Sequence, residues 1–309
     1  MAARGAAAGA AVAYLAWLRV TDAAKQQPEH WGPRWLARLL FLPLPRLFAL
    51  LGVENGPAPR LDGISAEELQ SLAPCVVTVS PHGTGVGHFF VTGPALASPP
   101  LASLHVLGIA ASVVFRIPLF REFLLLMGWR EASEDMVDRM LRAGRSCIVV
   151  PGGIAEMVEM DSTRDVLHCP PALGFVRLAM KHGVPILPLY CFGETQLFRT
   201  HTCLMPLRRR IAAHARVGIP FLSGRFGTVG LPLPLPSRYT VVVGTPVPTG
   251  AANPEPTQDE VREVFGRWCA ELQRLFAAHA TELLPAEVAA KGLTIHERRR
   301  RTPALRSKL

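Results

Sequence analysis

Val76-Val-Thr-Val-Ser80-Pro81-His82-Gly83-Thr84-Gly85-Val86-Gly87-His88 carries a run of apolar and β-branched residues into a proline and then into a glycine-rich turn. Such a run predicts a strand buried on both faces, the kind found inside parallel sheets. The turn falls at the strand's carboxyl end, where open α/β sheets gather their ligands. Pro81 fixes the approach of the chain, Gly83 frees the turn, and His82 is presented at the strand tip. A neutral imidazole there could deprotonate a hydroxyl near neutral pH; the alternative is a loop histidine held by a backbone carbonyl. His88 leads into Phe89-Phe90-Val91 and reads as a packing residue at the edge of an element.

Two further segments repeat the pattern. Cys147-Ile-Val-Val150 runs into Pro151-Gly152-Gly153-Ile154-Ala155-Glu156, and Pro185-Ile-Leu-Pro188-Leu-Tyr-Cys191 ends at Phe192-Gly193-Glu194. Gly152 and Gly153 bring exposed backbone N–H groups that could hold an anion or a developing oxyanion. Glu156 either orients a partner or caps its turn. Three strand tips with glycine beside a polar group predict one site assembled from three loops.

Further outward, strand-like runs alternate with helical patterns. Tyr239 to Val243 reads as a strand, whereas Arg121 to Met127, Ser133 to Ala143, Gly174 to His182 and Thr257 to His279 read as helices; Pro100 to Phe115 reads as a helix or a buried segment. In the last helix Val261, Val264, Phe265, Trp268, Leu272, Leu275 and Phe276 form one stripe, and Thr257-Gln-Asp-Glu260 supplies its cap. The alternation predicts an α/β domain with a largely parallel central sheet flanked by helices. A Pro and Gly cluster from Asn55 to Gly63 reads as a linker, followed by a short capped helix from Ser65. Three regions result: an N-terminal apolar region and linker (1–60), the main domain (61–285), and a basic, disordered tail (286–309).

The chain has 309 residues, 49% of them hydrophobic and 18% charged, with a mean hydropathy of +0.24. That composition excludes a disordered tail protein and brings a membrane surface into view. Most of the net charge of +9 belongs to the stretch from Lys291 to Leu309, which holds seven Lys or Arg against Glu297 alone. The basicity is therefore not a nucleic-acid-binding face. Ala6 to Leu18 and Trp35 to Val53 are apolar, but the second is broken by Arg38, Pro43, Pro45 and Arg46, and neither is a clean 20-residue span. The first reads as an anchor, a signal-peptide core after Arg4 or an Ala-rich soluble helix, with no small-x-small cleavage site behind it. Trp17, Trp31 and Trp35 with Arg34 and Arg38 suit a lipid headgroup boundary; the alternative is an apolar helix capping the core. Cys75, Cys147, Cys169, Cys191, Cys203 and Cys269 lack C-x-x-C or zinc spacing, so buried reduced thiols facing a reducing compartment are expected, and no metal.

Several common catalytic patterns are missing: G-x-S-x-G, a Walker sequence, G-x-G-x-x-G spacing, and an aspartate five positions after any of the ten histidines.

Six segments do recur together elsewhere. Ser80-Pro-His-Gly83, Phe115-Arg-Ile-Pro-Leu-Phe-Arg-Glu122, Val149-Val-Pro-Gly-Gly-Ile-Ala-Glu156, Leu173-Gly-Phe-Val-Arg-Leu-Ala179, Pro188-Leu-Tyr-Cys-Phe-Gly-Glu-Thr-Gln-Leu-Phe198 and Val242-Val-Gly-Thr-Pro-Val247 stand in the order and spacing of one family. Over roughly Leu72 to His279 the chain resembles the type-2 diacylglycerol acyltransferase and monoacylglycerol acyltransferase family. It departs from that family at Ser80, where His or Glu is usual, at Ala172 and Leu173, where a basic residue is usual, and in its short, proline-broken N-terminal hairpin.

The resemblance implies a glycerolipid-acyltransferase-like fold behind an apolar membrane-associated N-terminal segment. It also implies transfer of an acyl chain from acyl-CoA to a neutral glycerolipid hydroxyl at a membrane, with His82 as the catalytic residue and no cofactor beyond the acyl-CoA substrate. Ser80, Pro81, Gly83, Gly152, Gly153 and Glu156 are expected to support the loop and the oxyanion, while Arg116, Arg121, Arg177 and Glu194 are candidates for substrate binding. A wax alcohol or sterol acceptor, or an inactive lipid-binding relative, is the alternative. The endoplasmic reticulum membrane or lipid droplets are the expected location; Ser307-Lys308-Leu309, a peroxisomal import address, points elsewhere. Arg298 to Arg301 could touch anionic lipids or form a solvated tail.

Overall fold

The computed structural model describes residues 9, 12–18, 27, 29, 31–56, 58–215, 218–229 and 233–297. Its strands, in chain order, are β1 (Val53–Asn55), β2 (Arg60–Leu61), β3 (Val76–Ser80), β4 (Leu107–Ala110), β5 (Trp129–Glu131), β6 (Cys147–Val149), β7 (Val166–Cys169), β8 (Ile186–Phe192), β9 (Arg199–Thr200), β10 (Leu222–Ser223), β11 (Ser237–Val243) and β12 (Thr294–Glu297). The main sheet runs β1-β11-β8-β3-β6-β4-β5, with β2 also on β11. All its pairings are parallel except β8 with β11.

Strand β3 lies at the centre, and each of its five residues is buried. Its alternation sorts the core. Val76 faces a cluster built on α1 (Glu134–Arg142), α2 (Gly174–His182) and α3 (Gln258–Leu283), whereas Val77 and Val79 face a cluster containing Phe48, Leu69, Leu96, Leu101 and Leu104. Helix α3 buries the stripe from Val261 to Phe276 and starts at a capping box between Thr257 and Glu260. The Trp268 indole N–H donates to Thr78 Oγ1 at 2.8 Å, which pins α3 across the middle of β3.

The segment Pro100 to Phe115 is not one helix. It holds a 3-10 turn (Leu101–Leu104), strand β4 and a second 3-10 turn (Ser112–Arg116). The strand wins because Gly108 lets the Trp129 indole lie against the backbone, where an added Cβ would sit 2.5 Å from the ring. An apolar run without periodicity does not distinguish the two states.

The end of the apolar block contributes β1 and the Pro and Gly cluster contributes β2, both pairing with β11, and the Phe48 ring before them is buried. Residues 286–297 form a helical turn (Ala286–Ala289) and β12, which pairs in parallel with β7; the tail from Arg298, with Ser307 to Leu309, lies outside the described residues. Cys75, Cys147, Cys169 and Cys191 are buried free thiols, but Cys203 is exposed.

On the N-terminal side, residues 12–18 are helical. Tyr14 in that stretch donates to Glu122 Oε2 at 2.8 Å and accepts the Leu119 N–H at 3.1 Å. The buried Arg130 guanidinium donates to the carbonyls of Gln27 and Glu29, tying the same region to the domain. Helices Arg34–Phe41 and Leu44–Leu50 follow. Among the described residues no helix is long and apolar enough to cross a membrane.

Candidate active site

Because β3 lies between β6 and β8, the loops leaving all three strands meet at one edge of the sheet. The loop after β3 crosses that edge with Gly83 and Gly85 in left-handed backbone, at φ +51° and +78°. It is held from both sides by buried carboxylates. Glu156, in the first turn of the short helix Gly153–Glu159 that follows β6, accepts the His82 N–H on Oε1 at 2.5 Å and the His168 N–H on Oε2 at 3.0 Å. Glu194, from the loop after β8, accepts the N–H groups of Thr84 (3.0 Å) and Gly85 (2.8 Å) and the Thr84 hydroxyl (3.0 Å), all on Oε1. The fit leaves no room for side chains: a Cβ on Gly83 would lie 2.4 Å from Glu194 Cγ, and one on Gly152 would lie 1.8 Å from Glu156 Oε2.

Burial dominates the electrostatics. It raises Glu156 to about 7, opposed by the N–H groups of His82 and His168 and reinforced by the charge of Asp165. It raises Glu194 to about 8 against the hydrogen bonds from Thr84 and Gly85. His82 is half-buried at the sheet edge, and desolvation lowers its pKa, favouring the neutral ring. Its Nδ1 lies 3.2 Å from the Gly83 carbonyl. A carbonyl only accepts, so Nδ1 carries the proton and the Nε2 lone pair is left to act as a base.

A second imidazole lies behind the loop. His88 Nε2 is 2.7 Å from the Pro81 carbonyl, and Nδ1 is 3.0 Å from the Tyr239 hydroxyl, which is 2.8 Å from Thr92 Oγ1. A π-helical turn, His88–Thr92, brings both side chains to the one phenol. Burial lowers His88 to about 3. Its flanking phenylalanines gave the appearance of a packing residue; the one sequence signal of a polar role is an imidazole so soon after the strand tip.

The structure thus brings together Ser80, Pro81, His82, Gly83, Gly152, Glu156 and Glu194. Gly153 stands beside them with its N–H committed to the Val150 carbonyl at 3.1 Å. The candidate arginines lie apart from this cluster of bonds. Arg116 is exposed at the end of a 3-10 turn; Arg121 is buried, with Nη1 3.5 Å from Glu122 Oε1; Arg177 on α2 donates to the Ala172 and Pro256 carbonyls and to Gln258. Glu194 is buried and holds the loop through Oε1, while its buried Oε2 has no hydrogen-bond partner among the described residues. Among the described residues no group of three His, Cys, Asp or Glu is placed to hold a metal.

A cavity of about 940 Å³ opens on the Val77 face of the sheet. Phe41, Val91, Leu96, Ala102 and Ile148 give it an apolar lining, Tyr239 forms part of its wall, and Arg34, Arg38 and Arg145 also line it.

Comparisons with known proteins point to one family. Residues 62–288 match the family described as "Diacylglycerol acyltransferase". Human "Acyl-CoA wax alcohol acyltransferase 2" is 28% identical over 226 residues, 67% of this chain and 66% of that protein. Human "Diacylglycerol O-acyltransferase 2" is 28% identical over 65% of this chain and 55% of its own length, and bovine "2-acylglycerol O-acyltransferase 1" is 27% identical over 53% and 52%. The chain spans about half to two thirds of the length of these relatives. Among solved structures, the 1-acyl-sn-glycerophosphate acyltransferase PlsC of Thermotoga maritima aligns over 84% of this chain and 93% of its own at 15% identity, with a TM-score of 0.40, too loose a likeness to argue from. With three-quarters of the chain covered by one family profile, and the strand-tip loops inside the match, the chain belongs to the diacylglycerol acyltransferase family.

Proposed function

We propose that the chain transfers an acyl group from acyl-CoA to the hydroxyl of a neutral acylglycerol, in one step with no acyl-enzyme. The observation that carries this is His82: a neutral imidazole at the tip of the central strand, with Nε2 free and its loop backbone fixed by two buried carboxylates. His82 Nε2 takes the proton from the acceptor hydroxyl as its oxygen bonds to the thioester carbonyl carbon. The backbone N–H groups of Gly83 and Gly152 are the candidates to stabilise the tetrahedral oxyanion. Collapse breaks the carbon–sulfur bond, and the proton passes from His82 to the departing thiolate, so ester and free CoA leave. Ser80 closes β3 beside the loop as a neutral hydroxyl.

The cavity on the Val77 face suits the fatty acyl chain, with Arg34, Arg38 and Arg145 placed for the phosphates of CoA. The exposed apolar residues Trp17, Trp35, Leu39 and Leu119 suit the surface of a membrane or lipid droplet, on which the N-terminal helices would lie. This reading puts the enzyme at the endoplasmic reticulum; imaging an N-terminally tagged chain with and without Ser307 to Leu309 tests it against the peroxisome.

Labelled oleoyl-CoA offered separately to diacylglycerol, monoacylglycerol and a long-chain alcohol, with the chain or its His82→Ala variant, tests the activity and names the acceptor. The wax alcohol acyltransferase, which aligns over two thirds of the chain, makes the third acceptor a necessary arm. Acyl-CoA binding without product from any acceptor identifies a lipid-binding relative instead.

A further inference from the structure

The peptide between Pro81 and His82 is gripped at both ends. Its N–H is donated to Glu156, and its carbonyl receives the His88 ring. Since that carbonyl only accepts, His88 Nε2 carries a proton, and Nδ1 is left as an acceptor for the Tyr239 hydroxyl. Tyr239 is in turn joined to Thr92 Oγ1, which lies 3.4 Å from Cys191 Sγ. The ring is therefore fixed in tautomer and in plane by β11 on one side and the strand-tip loop on the other. The carboxylate facing it is Glu194, whose Oε2 lies 3.8 Å from Nδ1, and the other imidazole near it is His82.

We infer that His88 is a positioning residue for the reaction. Its Nε2–H fixes the Pro81–His82 peptide plane, and through that plane the direction in which the His82 ring meets the acceptor hydroxyl. The inference rests on the reading of His82 as the base. A hydrogen bond on the carbonyl polarises the same peptide's N–H toward Glu156, so the two grips strengthen each other. A shift of about an ångström in a catalytic group is enough to cost on the order of a hundredfold in rate.

Glutamine places an amide N–H where Nε2 stands, whereas asparagine reaches only as far as Nδ1, so the two variants separate hydrogen bonding to Pro81 from bulk and polarity. Acyl transfer would be measured on the full chain carrying His88→Gln, His88→Asn or His88→Phe, together with His82→Ala. The expected result is a loss of about 100-fold or more in kcat for His88→Asn and His88→Phe at unchanged acyl-CoA KM, with His88→Gln recovering at least a tenth of the original kcat. The His82 backbone amide proton, followed by NMR in detergent micelles, is expected to move upfield in His88→Asn and to stay in place in His88→Gln. Retained kcat in His88→Asn or His88→Phe, or equal losses in His88→Gln and His88→Asn, overturns the inference while His82→Ala remains inactive. An active His82→Ala overturns the reading of His82, and this inference with it.

Discussion

Glu156 reaches across from the first turn of the helix after β6 to accept the His82 backbone N–H at 2.5 Å, so the residue proposed as base is held through its backbone and not through its ring. Both Glu156 oxygens accept backbone donors, the second from His168. Glutamine in its place would turn an amide NH₂ toward one of those two N–H groups and leave both buried and unsatisfied, at about 1–3 kcal/mol each. Glu156→Gln is therefore expected to lower the thermal midpoint by several degrees and to cut acyl transfer. Melting and activity measured on the same preparation check it; an unchanged midpoint would show that the loop does not depend on this clasp.

Two glycines in one loop make a matched pair. A Cβ on Gly87 would stand 2.1 Å from Tyr239 Cε2 and 2.4 Å from Glu194 Oε2, whereas one on Gly85 meets nothing within 4 Å and bears only the strain of φ +78°. Gly87→Ala should fail to accumulate as folded protein or lose nearly all activity. Gly85→Ala should fold, at a cost of about 1–2 kcal/mol. Soluble yield and melting of the two variants side by side decide the point.

The buried glutamates give stability a pH dependence of definite sign. Glu156 is raised to about 7 and Glu194 to about 8, from an ordinary value of 4.5. The folded state therefore holds more protons than the unfolded state above pH 4.5, and their protonation stabilises the fold less and less as pH rises through 7 and 8. Thermal midpoints should fall as pH rises from about 5 to 8 and level off above that. Because the hydrogen bonds from Thr84 and Gly85 all fall on Oε1, glutamine can keep them without titrating. A flatter profile for Glu194→Gln, recorded by calorimetry across that range, is the expected result.

The parts of the fold legible in the sequence are those whose physics is local or repeated. β3, β6 and β8 are buried on both faces, so they stand out as apolar runs, and α3 announces itself by its stripe and capping box. Short strands such as β5 and β12 draw their stability from partners far along the chain and leave no pattern of their own. At the site, Glu156 and Glu194 were visible as polar residues beside strand-tip glycines. That both carboxylates point into the loop of His82 depends on β3 lying between β6 and β8, which spacing along one chain does not encode. Arg177 shows the converse: a charge on a helix says nothing of which way the helix faces, and here it faces backbone carbonyls.

If the cavity takes the acyl chain, bulk added to its wall should change chain-length preference before it changes chemistry. Ala102 lines the cavity on the short 3-10 turn and is half-buried. Ala102→Trp is expected to lower the rate with oleoyl-CoA relative to decanoyl-CoA by about tenfold, a difference of about 1.4 kcal/mol. Parallel assays with the two donors check it, and equal effects on both would place the chain elsewhere.

The N-terminal helices offer the last test. Trp35 is 67% exposed and Leu39 61%, while Ala37 between them is buried against the domain. The helix Arg34–Phe41 therefore has one face committed to the core and an apolar face turned outward, with Arg34 and Arg38 beside it as a headgroup boundary would require. Replacing Trp35 and Leu39 together by glutamate removes apolar area from the outward face and adds charge there, without touching a packed side chain. Binding to phosphatidylcholine vesicles, measured by co-sedimentation, should weaken at least tenfold while the thermal midpoint in detergent stays within a degree or two. A variant that sediments like the unmodified chain would move the membrane contact away from this helix, to the exposed Ile117, Leu119 and Phe120 loop or beyond the described residues.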